Sequence, residues 1–324
     1  MIMSILIYAE SSEGKFKKVA FELASYAKKV AESLGTTVTA LTINSVDVSE
    51  LSKYGVDKVL KVSNDTLAGF SAKSYADVIK QAAQKENATL ILLSSTTDSI
   101  YLSSLVAVSL EAGYVSNVVG LPVSTLPFQV RRTAFSNKAF TITEMNTDIK
   151  VIGLAKNSYG LVENSSTPTE EEFNPSLQDA DFGVKVESIE KGSGTVSIAD
   201  AEIVVSGGRG LKGPENWGLI EDLAHVLGAA TACSKPVSDL GWRPHGEHVG
   251  QTGKPVATNL YIAIGISGAI QHIAGINASK VKVVINSDPE APFFKVADYG
   301  IVGDAFEIVP QLIEKFKVFK AQNA

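Results

Sequence analysis

Residues 4–35, SILIYAESSEGKFKKVAFELASYAKKVAESLG, contain two different hydrophobic patterns in succession. The first, Ile5–Ile7, is a continuous apolar run, which is typical of a buried strand. In the second, from Phe16 to Leu34, apolar residues recur three and four positions apart with lysines between them, which predicts an amphipathic helix. Gly35 is expected to end this helix, because glycine readily adopts the left-handed conformation found at helix C-termini. The segment therefore predicts a strand–helix unit.

The same order of strand and helix patterns continues to about residue 113. The run TLILLSS, residues 89–95, is apolar at successive positions, as in parallel sheets that helices cover on both faces. Helix patterns precede and follow it, at 74–87 and 99–113. Strands that alternate with helices form parallel sheets, so this half of the chain predicts a doubly wound α/β domain.

Strand patterns without helices between them follow, at residues 117–123, 128–135, 138–145 and 150–156. Because such strands are usually joined by short turns, we expect an antiparallel extension of the first domain. Residues 162–183 are then rich in serine, threonine, proline and acids and have no apolar period. This composition predicts an exposed connector, in which the acidic run Glu170, Glu171 and Glu172 lies in a solvated loop.

After residue 200 the alternation of strands and helices returns. The strand AEIVVSG is followed by a helix pattern at 214–229, three further strands, and a closing amphipathic helix at 306–319. A chain of 324 residues is long enough for two domains. The predicted fold class is α/β with two doubly wound domains: residues 1–195, with the antiparallel extension and acidic connector, and residues 196–324, with a parallel sheet.

The bulk composition narrows the class of protein. The formal net charge is −6, so there is no basic excess to neutralise phosphates, and we expect no nucleic-acid partner. Cys233 is the single cysteine, which excludes a disulfide within the chain and agrees with a reducing cytoplasm. No apolar stretch reaches the roughly 18 residues of a membrane helix. The opening MIMSILIYAE lacks a basic region and is interpreted as the first buried strand rather than a signal peptide.

Three glycine-bracketed loops lie in the second domain, at residues 205–210 (VSGGRG), 250–253 (GQTG) and 265–271 (GISGAIQ). Glycine lets a ligand approach the backbone closely, and Arg209 offers a planar fork for phosphate. We expect all three loops at the carboxyl ends of strands, where open α/β sheets bind ligands. The loops together predict a site for an anionic dinucleotide.

Two other classes of function remain open at this point. Gly265-Ile266-Ser267-Gly268-Ala269 nearly matches the G-x-S-x-G turn of serine hydrolases, but His272 follows Ser267 by only five residues and cannot turn back to share its proton. A nucleotide-binding module without redox chemistry is the second. Ser234 and Lys235, between a predicted helix and Pro236, are expected in a loop.

Three segments carry a family resemblance: VSGGRGLKGPENW at 205–217, CSKPVSDLGWRPHGEHVGQTGKPVATNLYIAIGISGAIQHIAGI at 233–276, and VVINSDPEAPFFKVADYGIVGDAFEIVPQL at 283–312. Together they resemble the alpha subunit of electron-transfer flavoprotein. The resemblance implies an electron carrier rather than an enzyme, with FAD in the C-terminal domain. It also implies a heterodimer with a beta subunit, which in that family can carry AMP.

The resemblance further implies the redox partners. Electrons would come from soluble dehydrogenases, such as the acyl-CoA dehydrogenases of fatty acid β-oxidation, and pass to a membrane quinone oxidoreductase. In a bifurcating form of the family they would come from NADH through a second flavin in the partner subunit.

Carried over by position, the resemblance also implies site residues. Arg209 would lie over the cofactor near its phosphates and flavin, and Lys235 stands where the family usually has arginine. Asn286, Asp304 and Ala305 would hold the ribityl or adenosine end. The flavin ring would be lined by Ser234, Val249, Gly250, Gln251 and Thr252. The pyrophosphate would be held by Ser267, Gly268, Ala269, Ile270, Gln271 and His272, the last of which would reach the flavin C2 carbonyl.

Overall fold

The computed structural model describes residues 4–135, 137–184, 186–187, 198 and 201–322. The chain divides into two compact units, Met1–Phe135 with Ala139–Glu190, and Ser136–Lys138 with Lys191–Ala324. The boundary expected between residues 195 and 196 lies outside the described residues. None of the helices in the described part of the chain is both long enough and apolar enough to cross a bilayer.

The N-terminal unit is built mainly from a ten-stranded sheet and three helices. The helices are α1 (Lys18–Leu34), α2 (Ala72–Lys85) and α3 (Thr97–Ser109). Its strands are β1 (Ile5–Tyr8), β2 (Ser11–Ser12), β3 (Lys15–Phe16), β4 (Val38–Ile43), β5 (Lys58–Val62), β6 (Leu90–Ser94), β7 (Gly113–Val118), β8 (Ser124–Thr125), β9 (Phe128–Ala134), β10 (Ala139–Glu144), β11 (Lys150–Leu154) and β12 (Thr169–Glu172). Short 3-10 turns lie at Ser49–Lys53, Asp65–Leu67 and Asp179–Phe182.

The large sheet has the order β10-β9-β7-β11-β6-β1-β4-β5-β12, with β8 beside β9, while β2 and β3 form a separate hairpin. β1 pairs parallel with both β4 and β6, so the chain winds outward in both directions from it. The buried side chains of α1 pack in one core and those of α2 and α3 in another. Helices therefore cover both faces, as a doubly wound sheet requires. α1 ends at Gly35, whose φ of 64° is left-handed, as predicted.

The expected antiparallel extension is only partly correct. β9 and β10 form an antiparallel hairpin at one end of the sheet, as predicted. The strand at 150–154, however, inserts between β6 and β7 and is parallel to both. Its residues Val151 and Ile152 are fully buried, because they face the two cores on opposite sides of the sheet. The strand expected at 117–123 lies earlier, at 113–118, where Val115 and Val118 face the core.

The prediction of a solvated loop at Glu170–Glu172 is wrong. These residues belong to β12, which pairs parallel with β5 at the far edge of the sheet. The physical reason is cross-strand charge pairing: Lys58 Nζ lies 2.8 Å from Glu171 and Lys61 Nζ lies 3.2 Å from Glu172. Opposite charges on adjacent strands stabilise a pairing that the apolar period alone did not indicate.

The C-terminal unit contains a five-stranded, wholly parallel sheet of order β14-β13-β15-β16-β17, as the fold class predicted. Its strands are β13 (Ile203–Gly207), β14 (Ala230–Cys233), β15 (Leu260–Ile264), β16 (Val281–Asn286) and β17 (Tyr299–Val302). Its helices are α4 (Gly218–Leu227), α5 (Lys235–Asp239), α6 (Ile270–Ile276) and α7 (Ala305–Gln322), with 3-10 turns at Arg209–Leu211, Pro214–Asn216, His245–Glu247 and Pro292–Lys295.

The parallel sheet of the C-terminal unit fixes where its loops meet. Residues of α4 and α7 pack in the core on one face, and Tyr261, Ile276 and Phe293 pack in the core on the other. Every strand points the same way, so the loops that follow β13, β14, β15 and β16 all leave the sheet at one edge. Ligands of open α/β sheets bind at this carboxyl edge.

Candidate functional site

A cavity of about 630 Å³ lies at the carboxyl edge of the C-terminal sheet. Clefts of about 300–1,000 Å³ are typical of small-molecule and cofactor sites. The cavity is lined by residues that follow four strands and by the loop before β15: Arg209, Gly210, Ser234, Lys235, Pro236, Asp239, His248, Val249, Gly250, Gln251, Thr252, Gly265, Ile266, Ser267, Gly268, Ala269, Gln271, His272, Asn286 and Asp288.

The loops after β13 and β15 lie directly against each other on one side of the cavity. Gly208 and Gly210 donate backbone N–H groups to Ile264 and Gly265 respectively. Gly265 has a φ of 63°, which disfavours any residue with a side chain. The close approach of the two backbones leaves Arg209 exposed at the edge of the cavity, where its guanidinium can meet an anion.

Ser234 and Lys235, expected in a loop from the sequence, stand at the start of a short helix instead. Ser234 directly follows β14, an edge strand that was not predicted, and it is the N-terminal flanking residue of the short helix α5. The Ser234 N–H donates to Gly207 O, which ties this turn to the end of β13. Lys235 begins α5 and is exposed, and both residues line the cavity.

The GQTG loop was expected at the carboxyl end of a strand, but no strand directly precedes it in the structure. It is held beside the end of β14 instead: Val249 N–H donates to Cys233 O, and isolated bridges join Cys233 to His248 and Val249 to Lys254. Gln251 N–H donates to Gln271 O at 2.8 Å, which connects the loop to α6. Tertiary hydrogen bonds therefore place this loop in the cavity wall.

The loop between β15 and α6 forms the floor. Gly268 has a φ of 89°, and a Cβ atom there would lie 2.7 Å from the Cα of Phe293. The Ser267 carbonyl accepts from Phe293 N–H, and Asn286 Nδ2 donates to Ile266 O at 3.1 Å. Ser267 is exposed, and no hydrogen bond within the described residues joins it to His272. The geometry gives no support to a serine nucleophile.

His272 is the buried polar group of the cavity wall. It is 6 % exposed, and its Nε2 lies 2.9 Å from the hydroxyl of Tyr261. Its Nδ1 has no partner of normal hydrogen-bond geometry among the described residues, although the Val249 backbone lies near enough to favour the charged ring. Burial outweighs that effect and lowers the pKa of His272 to about 4, so the ring is neutral at pH 7. Buried polar atoms in folded proteins are normally hydrogen-bonded, so this nitrogen is a candidate contact for a bound molecule.

Charged groups of both signs surround the cavity. Arg209 and Lys235 are cationic, and Asp239 and Asp288 are carboxylates. Burial and then the charge of Lys235 lower the pKa of His248. No cluster of metal-ligating side chains is found in the described part of the chain.

The structure brings most of the predicted site residues around this one cavity, with three exceptions. Ile270 is exposed on α6 but does not line the cavity. Asp304 caps the following helix by accepting the Phe306 N–H at 2.9 Å, and its other oxygen lies 3.7 Å from Lys212 Nζ. Ala305 is the first residue of α7 and is packed in the core. The contacts of Asp304 and Ala305 are therefore with other residues of this chain and not with the cavity.

Four lining residues were missed by the sequence reasoning: Pro236, Asp239, His248 and Asp288. Gly210, Gly265 and Ile266 belong to the glycine loops that were predicted to form the site, although no individual role was assigned to them. All four missed residues stand within the segments quoted above, and Pro236 and His248 are next to residues that were named. Asp239 lies on the same short helix as Lys235, four positions later, and helical spacing could have found it. His248 gave no such signal, because its position depends on the bridge to Cys233.

Comparison with known proteins agrees with this architecture in both units. A family model described as the electron transfer flavoprotein domain matches residues 5–177, and one described as the electron transfer flavoprotein FAD-binding domain matches residues 197–277. The chain is 36 % identical over 325 residues to electron transfer flavoprotein subunit alpha of Thermoanaerobacterium thermosaccharolyticum, covering 98 % of each chain.

Two further relatives carry the same name. The Bacillus subtilis protein is 36 % identical, covering 97 % of each chain, and the Pseudomonas aeruginosa protein is 34 % identical, covering 96 % of this chain and 99 % of the relative. This chain belongs to the electron transfer flavoprotein family, as an alpha subunit with an FAD-binding domain. Its relatives are named as electron carriers rather than enzymes, and an alpha subunit implies a beta subunit as partner. The resemblance to the alpha subunit of electron-transfer flavoprotein, inferred from the sequence motifs, is confirmed.

Proposed function

We propose that this chain binds FAD in the cavity of its C-terminal unit and carries electrons within a heterodimer with a beta subunit. The observation that carries the proposal is buried His272 in the wall of a cavity of about 630 Å³ that also presents Arg209 and Lys235; the His272 Nδ1 has no partner of normal hydrogen-bond geometry among the described residues. FAD, when bound, supplies the redox chemistry. The protein supplies the binding, the orientation and the electrostatic environment.

The donor set fits a dinucleotide with a pyrophosphate and a flavin ring. Gly265 and Gly268, both with left-handed backbone, turn the loop into the start of α6, and Arg209 lines the same cavity. In this proposal the pyrophosphate lies against Ser267–Gln271, the ring lies against Ser234 and Val249–Thr252, and Asn286 holds the ribityl or adenosine end. Ile270, Asp304 and Ala305 have no part in the cavity lining.

Two exposed apolar surfaces of the N-terminal unit support a permanent partner. α3 buries Leu102 and Val106, yet Tyr101 and Val108 on its other side are 67 % and 79 % exposed. On β10, Phe140 and Ile142 are each 57 % exposed. A helix that is apolar on both sides is normally covered, and exposed apolar patches mark interaction sites. We place the beta subunit on one or both of these surfaces.

We further propose the direction of electron flow. Soluble acyl-CoA or related dehydrogenases supply the electrons, and a membrane quinone oxidoreductase accepts them. The support for these partners is family membership alone, so they are to be tested separately from FAD binding. The test is reduction of the purified heterodimer by an acyl-CoA dehydrogenase with its substrate, against reduction by NADH. Reduction by NADH, with two FAD per heterodimer, would contradict this assignment and indicate the bifurcating form.

FAD binding is tested by co-expressing the chain with its beta subunit and measuring the flavin that remains bound after desalting. We expect a yellow complex with one FAD in this chain. Arg209→Ala should release flavin more readily, whereas Lys212→Ala should not, because Lys212 is a cation of the same loop that lies outside the cavity lining and pairs with Asp304. A colourless complex, or equal flavin loss in the two variants, would contradict the proposed site.

A further inference from the structure

Behind the cavity wall, two buried side chains form a polar pair. Tyr261, on β15, is fully buried, and its hydroxyl lies 2.9 Å from Nε2 of His272 on α6. The Tyr261 ring is parallel to that of Phe293, with an angle of 2° between the planes. Core packing therefore fixes where the hydroxyl points, which is toward Nε2 of His272.

The two nitrogens of a neutral imidazole have opposite roles, since one donates and the other accepts. Which one carries the proton is set by the hydrogen bond that the other nitrogen makes. His272 Nε2 is engaged by Tyr261, and Nδ1 has no partner of normal geometry within the described residues. A tyrosine hydroxyl that donates to Nε2 leaves the proton on Nδ1, so that Nδ1, beside the Val249 backbone, is the N–H donor of the ring.

Ser206, on the neighbouring strand β13, favours this direction. The Ser206 hydroxyl is close enough to lower the pKa of Tyr261, but burial is the larger effect and raises it, so Tyr261 keeps its proton. The Oγ of Ser206 is itself buried and has no partner of normal geometry among the described residues. A serine that donates to the Tyr261 oxygen leaves the Tyr261 proton for Nε2, and the donors then run in one order from Ser206 through Tyr261 to His272.

We propose that Tyr261 is a positioning residue, which holds His272 in the tautomer with the proton on Nδ1 so that the ring donates to a carbonyl or anionic oxygen of the bound flavin. The inference rests on the proposed function for the identity of the ligand, but the tautomer itself is a property of the protein. Tyr261 does not touch the cavity. The proposed effect of its hydroxyl on the flavin passes through His272.

The first test is the tautomer, read from the ¹⁵N chemical shifts of His272 in the heterodimer. We expect Nδ1 protonated in the wild type and a mixture of tautomers in Tyr261→Phe, which keeps the ring stacked on Phe293. A wild type with the proton on Nε2 overturns the proposal, and so does an unchanged tautomer in Tyr261→Phe. The wild-type spectrum decides even if the variant fails to fold.

The second test is the flavin reduction potential in a double-mutant cycle. We expect a lower potential in Tyr261→Phe than in the wild type, and no further fall when Tyr261→Phe is added to His272→Ala. If Tyr261→Phe lowers the potential equally in the wild type and in His272→Ala, the hydroxyl does not act through the imidazole, and the proposal is refuted. A wild type that binds no flavin refutes the proposed function instead, and leaves the tautomer measurement in force.

Discussion

A Cβ atom on Gly208 would lie 2.1 Å from the carbonyl oxygen of Gly265, so no other residue fits at position 208 without moving one of two backbones. The two glycines follow neighbouring parallel strands, β13 and β15. Their contact joins the loop that presents Arg209 to the loop that leads into α6. One wall of the cavity is therefore continuous, and its shape depends on the absence of a side chain.

Gly208→Ala should lower the free energy of unfolding, because the added methyl group must displace backbone atoms rather than a flexible side chain. Overpacking of this kind costs about 1–3 kcal/mol. The measurement is denaturant unfolding of the purified protein. Gly218→Ala is the matched control: a Cβ atom there meets nothing within 4 Å, and alanine is the better helix former in α4. If Gly208→Ala unfolds with the same free energy as Gly218→Ala, the contact between the two loops is looser than the structure indicates.

Ser267→Ala should weaken flavin retention without removing any covalent chemistry. Ser267 is exposed in the cavity wall, and the loss of one hydrogen bond to a charged group costs about 1.5–3 kcal/mol, roughly a tenfold to hundredfold change in affinity. Flavin release during dialysis measures the first effect. A fluorophosphonate probe checks the second, and labelling of Ser267 in the wild type would reinstate the hydrolase hypothesis.

Lys235→Arg should raise the first reduction potential of the flavin modestly, and Lys235→Ala should lower it by more. Both cations favour negative charge on the reduced ring, but the planar guanidinium can lie flat against it, whereas the ammonium is compact and strongly hydrated. Spectroelectrochemical titration of the three proteins gives the potentials, with Lys212→Ala as a control cation outside the cavity lining. A potential unchanged in Lys235→Ala would mean that the side chain points into solvent.

Stability should fall as the pH drops below about 6.5, in part because of His272. Its pKa is about 4 in the folded protein and about 6.5 in the unfolded chain, so between these values the unfolded state binds more protons and is favoured as the pH falls. The expected loss between pH 7 and pH 5 is on the order of 2 kcal/mol.

The measurement compares denaturant unfolding of wild type and His272→Gln at the two pH values. Glutamine does not titrate, so the variant should lose less stability on acidification, while His225→Gln, on α4 outside the cavity lining, should behave as the wild type does. If all three proteins lose the same unfolding free energy on acidification, the pKa of His272 is not lowered in the folded protein, which would contradict its burial in the structure.

The sequence by itself determined the features that depend on local geometry. The helical period from Phe16 to Leu34 and the stop at Gly35 are consequences of backbone geometry within a few residues, and both are as predicted. The same holds for the strands of the C-terminal sheet that end in glycine loops, since glycine is needed where two backbones approach. The loops with Arg209 and Ser267 could therefore be assigned to one edge of the sheet from the sequence, whereas the loop with Gly250 reaches the cavity only through tertiary hydrogen bonds.

Only the tertiary structure decided the features that depend on which strands become neighbours. β11 lies in the middle of the first sheet, and Glu171 completes an edge strand through Lys58, because pairing across the chain outweighs the local pattern. His248 reaches the cavity through a bridge to Cys233, and Tyr261 reaches His272 from another element. The spacing of apolar residues along a strand or helix shows which side chains face a core. It does not show which other strand or helix packs against them.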